Sequence, residues 1–143
     1  MTDRTVSKVI GKPDDLNLEL FQTIVSSGQM RLQRCDRCSR YSHPPRMYCG
    51  NCFSGDYSYP EISGAGTVYS YTISHHTAEP AWQDELPYLT VVVELDEGPR
   101  VVGAATLADQ ATVRIGQRVH VVSERRTDDF AYFTVVFDEN GTS

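Results

Sequence analysis

The chain opens polar and becomes amphipathic only after Pro13. Leu16, Leu20, Phe21, Ile24 and Val25 then recur at helical spacing. Asp14 and Asp15 precede the stripe, where the free N–H groups of a helix favour carboxylates. Gly28 follows it, where a left-handed cap suits glycine. The pattern predicts a helix over about residues 15–27 behind a loose leader over 1–13. Leu18 falls off the stripe, so the helix either packs on its own domain or docks on another surface. MRLQR (30–34) reads as a short strand.

From Tyr57 onward the period switches to two. GTVYSYTIS (66–74), YLTVVVEL (88–95), RVVGAAT (100–106), RVHVVSE (118–124) and FAYFTVVF (130–137) are short runs rich in β-branched and aromatic residues. Asp96-Glu97-Gly98-Pro99 is a turn, so the second and third runs pair as a hairpin. LADQATV (107–113) is left for a short helix or loop. Five such strands suit a small Greek-key barrel of the OB type better than a sandwich of seven or more. One connection is long: HHTAEPAWQDELP, residues 75–87, with the only tryptophan, Trp82, and the pair His75-His76. Long loops in compact domains are often functional. Trp82 either caps an open end of the barrel or belongs to a lid or partner contact.

Between helix and barrel lies CDRCSRYSHPPRMYCGNC, residues 35–52, holding all four cysteines as two C-x2-C pairs. Apolar residues make up 40% of the chain, but this segment has too few for a core of its own. No run approaches the roughly 18 apolar residues of a membrane span. The N-terminus lacks the apolar stretch of a secretory signal, so the expected location is cytoplasmic, where thiols stay reduced. That disfavours two disulfides and favours a metal. Four cysteines fill all positions of a tetrahedral zinc and leave none for water or substrate. The expected cofactor is therefore structural zinc on Cys35, Cys38, Cys49 and Cys52. His43 sits between the pairs, but no cysteine is missing for it to replace.

Charge sharpens this reading. The net charge is −6, yet residues 29–52 carry five arginines against Asp36 alone. Residues 53–143 carry fourteen acids against five arginines. The ribbon arginines offset anionic thiolates, or meet an anionic ligand, or both. Tyr41, Pro44, Pro45 and Tyr48 would present flat faces beside them, which suits a nucleotide-like ligand. The aromatic strands, with Tyr69, Tyr71, Tyr88, Tyr132 and Phe133, admit a single-strand nucleic-acid binder. The acidic barrel argues against it, and alternating aromatics on strands are usually core. No nucleophile elbow, phosphate loop or metalloprotease pair is visible. His75, His76 and His120 remain as possible acid–base groups, and lone histidines of this kind are mostly structural.

The order of parts resembles a widespread bacterial and archaeal family, the acyl-CoA-associated OB-fold proteins with an N-terminal rubredoxin-like zinc ribbon. The matching pieces are Cys35/Cys38, Pro44-Pro45-Arg46, Cys49/Cys52, Ser63-Gly64-Ala65-Gly66-Thr67-Val68 and Leu95-Asp96-Glu97-Gly98-Pro99-Arg100. The resemblance implies a leader and helix over 1–28, a zinc ribbon over 29–56 and a five-stranded OB-fold barrel over 57–143. It implies a non-catalytic accessory subunit of a thiolase-like enzyme, a thiolase or a retro-aldol aldolase as in steroid side-chain degradation. Such a subunit would stabilise its partner in a hetero-oligomer and help shape the acyl-CoA site. Arg37, Arg40, Tyr41, Pro44, Pro45 and Arg46 are then the expected CoA contacts. A stand-alone acyl-CoA-binding protein is the alternative, with a single-stranded nucleic-acid binder third.

Overall fold

The structure, a computed structural model, describes residues 13–105 and 113–138. The expected leader, except Pro13, and the 107–113 connection, except Val113, lie outside the described residues. Among the described residues no helix is long and apolar enough to cross a membrane.

Helix α1 (Asp15–Ser27) begins at Asp14, whose carboxylate accepts from the Asn17 N–H at 2.9 Å. It ends at Gly28, at φ 70°, whose N–H donates to the Ile24 carbonyl at 2.8 Å. Both caps answer groups that a helix end leaves unpaired. Leu20 and Ile24 are fully buried, so the stripe is spent on the chain's own domain.

Among the described residues eight strands follow: β1 (Gln33–Cys35), β2 (Tyr41–Ser42), β3 (Tyr57–Ser58), β4 (Ala65–Ser74), β5 (Tyr88–Leu95), β6 (Arg100–Ala105), β7 (Arg118–Thr127) and β8 (Phe130–Phe137). Strands β4 to β8 close a barrel in the order β4-β5-β6-β8-β7, with β7 returning to β4. Period-two alternation turns Leu89, Val91, Val93 and Leu95 of β5 inward, where they meet Val68, Val101, Val119, Val121 and Val135. Each such side chain contributes about 1.5–3 kcal/mol of burial. Helix α1 packs on β8 through Ala131 and Phe133.

The neighbours pair antiparallel except β6 and β8, which run parallel and meet at a single bridge, Ala104 opposite Thr134. A side chain on Gly103 would lie 2.8 Å from Val135 Cγ2 and 2.9 Å from the Phe133 carbonyl, so glycine is what lets the seam close there.

The expected architecture needs correction. A helix, a ribbon and one five-stranded OB barrel leave out a second sheet. Strands β1 to β3 form it in the order β2-β1-β3, and it does not close into a barrel. Its strands are two or three residues long, too short for hydrophobic periodicity to register. The strand expected at 30–34 accordingly starts at Gln33, while Arg31 makes only an isolated bridge to Glu61. Met30, Leu32 and Ile62 join the barrel core and tie this sheet to it.

Two strand aromatics also depart from expectation. Tyr69 and Tyr71 are 48% and 39% exposed. The β4–β5 ladder shifts register between Val68 and Ser70, which breaks the alternation at Tyr69 and sets Tyr71 opposite Val91. Arg100 covers the Tyr69 ring from 3.6 Å.

Candidate metal centre and adjoining clefts

The two cysteine pairs build one local structure twice. The Ser39 N–H donates to the Cys35 carbonyl, and the Phe53 N–H to the Cys49 carbonyl, each at 2.9 Å. The Cys35 N–H donates to the Arg40 carbonyl and the Cys49 N–H to the Ser54 carbonyl, again at 2.9 Å. Ser39 and Phe53, each following a C-x2-C pair, take left-handed backbone at φ 66° and 64°. Backbone N–H groups of Cys38 and Asn51 point at the sulfurs of Cys35 and Cys49, at 3.5 and 3.4 Å.

The result brings the four Sγ atoms within 4.8 Å of one another, with Cys35–Cys52 and Cys38–Cys49 at 3.5 Å. Zinc–sulfur bonds of about 2.3 Å set tetrahedral ligands roughly 3.8 Å apart. The donor set is thus shaped to coordinate a metal of that size. Its electrostatics agree. The Arg40 N–H, then the Asn51 side chain, draw the Cys38 thiol down to about 6. At Cys52 the Ser54 N–H pulls down, but desolvation and the three other cysteines outweigh it and push the thiol up to about 11. Four adjacent thiolates are unstable together, and a divalent cation removes that conflict. His43 stands outside the cluster.

Beside the centre, the expected contact residues part company. Arg40, Tyr41 and Arg46 line a polar cleft of about 470 Å³, closed on the far side by Glu97 and Gly98 of the β5–β6 turn. Pro44 lines a second, apolar cleft of about 600 Å³ with Phe21, Trp82, Val102 and Phe133. Pro45 is buried, and Arg37 is exposed on the first knuckle, outside both linings. His43 lines both clefts, so they adjoin at that residue.

The apolar cleft lies where β6 and β8 splay apart beyond their one bridge. Trp82 stands at its wall, on a 3-10 turn (Pro80–Glu85) within the long loop, its ring 5.5 Å from that of Tyr88. Phe21 and Trp82 carried sequence signals, a helical stripe and a long loop. Val102 carried none; it alternates with buried Val101, faces away from the core and is 58% exposed. Gln33 was missed altogether. Only 3% exposed, its amide donates to the Arg46 carbonyl at 2.7 Å and accepts the Arg46 N–H at 2.8 Å. That pair of bonds holds the Pro44-Pro45-Arg46 loop against β1.

Comparison with known proteins places the chain. The family profile described as "ChsH2, rubredoxin-like zinc ribbon domain" matches residues 25–58, and "ChsH2, C-terminal OB-fold domain" matches 59–124. A "DUF35 domain-containing scaffold protein" of Methanocaldococcus jannaschii is 31% identical over 97 residues, 67% of this chain and 68% of that protein. The chain belongs to the ChsH2/DUF35 family of zinc-ribbon and OB-fold proteins. A "probable enoyl-CoA hydratase alpha subunit" of Thermomonospora curvata is 45% identical over 71 residues, half of this chain but only 22% of that protein. The chain therefore spans about a fifth of the length of this hydratase relative. The solved "Ltp2-ChsH2(DUF35) aldolase" contains a chain that superposes with a TM-score of 0.76 at 29% identity, covering 88% of this chain and 97% of that one. The family thus includes proteins named as hydratase and aldolase subunits beside proteins named as scaffolds.

Proposed function

We propose that this chain is an accessory subunit that binds and stabilises a thiolase-like enzyme acting on acyl-CoA thioesters, and that it helps shape the acyl-CoA site. The partner's reaction is that of a thiolase or a retro-aldol aldolase, as in steroid side-chain degradation. The observation that carries this reading is the junction at His43 of an arginine-lined polar cleft with an apolar one. A CoA thioester has that polarity: an anionic, adenine-bearing end and an apolar acyl end. The near-complete correspondence with a chain of a solved aldolase supports a hetero-oligomer.

The metal in this reading is zinc, held by Cys35, Cys38, Cys49 and Cys52 as a brace. With four protein ligands it offers no position to a reactant. In this reading the catalytic groups belong to the partner. All of its thiols belong to the cluster, His75 and His76 are exposed on the long loop, and His120 is engaged with Asp138 at 2.7 Å.

Co-expression with a thiolase-like enzyme tests the proposal. The expected result is a stable mixed oligomer that is active only with both subunits. Thioester turnover by the isolated chain, or separate elution of the two proteins, would overturn it. Within the complex, Arg40→Ala and Arg46→Ala should each weaken CoA affinity several-fold; unchanged affinity in both removes the polar cleft from the site.

A further inference from the structure

His43 combines two features that the zinc centre does not use. The residue lines both clefts, and its Nδ1 is buried with no hydrogen-bond partner among the described residues. Buried polar atoms are nearly always paired, and the exceptions point to a functional demand. The ring is not loosely placed. It lies 5.9 Å from the Phe133 ring, and the loop that follows it is clamped by Gln33 through Arg46. With Nδ1 sealed away, hydrogen bonding at His43 falls to Nε2. A lone pair is cheaper to leave unmet than an N–H, so the single proton of a neutral imidazole belongs on Nε2. Desolvation holds the ring below its ordinary pKa, which keeps it neutral.

We infer that His43 is the neck of one continuous ligand path, and that its Nε2–H donates to an amide carbonyl of the pantetheine arm of CoA. This rests on the acyl-CoA reading above. The arm is the part of CoA that lies between phosphates and acyl chain, and its amides are the polar groups that must pass from the polar cleft to the apolar one. Neither cleft, at about 470 and 600 Å³, needs to hold the whole ligand when the two are joined. His43 would then read the arm, while Arg40 and Arg46 read the anionic end.

The test is an NMR titration of the zinc-loaded full chain with two probes: CoA, and adenosine 3′,5′-bisphosphate, which lacks the arm. His43→Phe keeps a ring against Phe133 but removes the donor. It should weaken CoA about five- to tenfold, the worth of one hydrogen bond, and leave the bisphosphate unchanged. His43→Gln, which restores an N–H, should stay within about twofold of the original chain. In the unmodified chain, CoA should shift the imidazole Nε2 resonance and the bisphosphate should not, a readout that needs no variant to fold. Equal losses for both probes, or an Nε2 signal indifferent to CoA, would overturn the inference and leave the acyl-CoA reading standing. Absence of binding by both probes would overturn the inference, and the acyl-CoA reading would then stand or fall on the co-expression test.

Discussion

The barrel buries Leu89, Val91, Val93, Val101 and Val119 almost completely. The ribbon buries Cys35, Cys49 and Gln33, and leaves Met47, Tyr48 and Phe53 64%, 64% and 78% exposed. Both regions are β structure, but different forces organise them. In the barrel, alternating aliphatic side chains supply the driving force, and the backbone pairing follows. In the ribbon, strands of two or three residues cannot enclose a core, so order comes from four convergent sulfurs and a backbone wrapped around them. The contrast teaches where each region is vulnerable, to loss of volume in one and loss of a cation in the other.

Metal removal should separate the two regions most widely. Structural zinc contributes on the order of 10 kcal/mol to small zinc folds. A strong chelator, or Cys38→Ser, should abolish amide protection throughout β1 to β3 while β5 and β7 keep theirs. Hydrogen exchange followed by NMR reads both at once; equal loss in the barrel would show that the two regions fold as one. Next in size is Leu89→Ala, which leaves a cavity in the barrel and should cost ~2–5 kcal/mol in urea unfolding with zinc content unchanged. Zinc release at the same urea concentration as barrel unfolding would count against separate stabilisation.

Smaller is Gln33→Leu, which strands the N–H and carbonyl of Arg46. It should cost the ribbon about 1–3 kcal/mol, seen as faster zinc loss to a chromogenic chelator, with the barrel transition unmoved. Smallest is Asp14→Ala at the start of α1. The Asn17 N–H and side chain hold the Asp14 carboxyl below its ordinary 3.8, so its contribution is present above that pH and fades as pH falls through the folded value. The variant should melt slightly lower at neutral pH and match the original chain in strong acid; a gap that persists in acid would mean that the carboxylate is not what caps the helix.

Legibility in the sequence followed the same divide. Strands β5 and β8 stand where periodicity put them, and α1 has the caps that Asp14 and Gly28 announced, because those signals are local. The four cysteines announced a metal cage through spacing alone. The small sheet β2-β1-β3 was missed because its strands pair over too few residues to leave a pattern. The exposure of Tyr69 and Tyr71 was missed because a bulge between Val68 and Ser70 breaks the alternation of β4, and a one-residue shift in pairing leaves no mark in a run of β-forming residues. Of the expected contact residues, Arg40, Tyr41 and Arg46 share one cleft, Pro44 belongs to another, and Arg37 and Pro45 belong to neither. Charge and flatness are properties of a residue, whereas a cleft is a property of several chain segments at once.

The donor set, the helix ends and the inward face of β5 are written in residue order, since each depends on residues close together in the chain. Only the tertiary structure decided that β6 and β8 touch at one point and then diverge, that Gln33 grips Arg46 across thirteen positions, and that His43 stands where two clefts join. Those features arise from contacts between distant segments, and no local pattern of side chains encodes the distance between two strands.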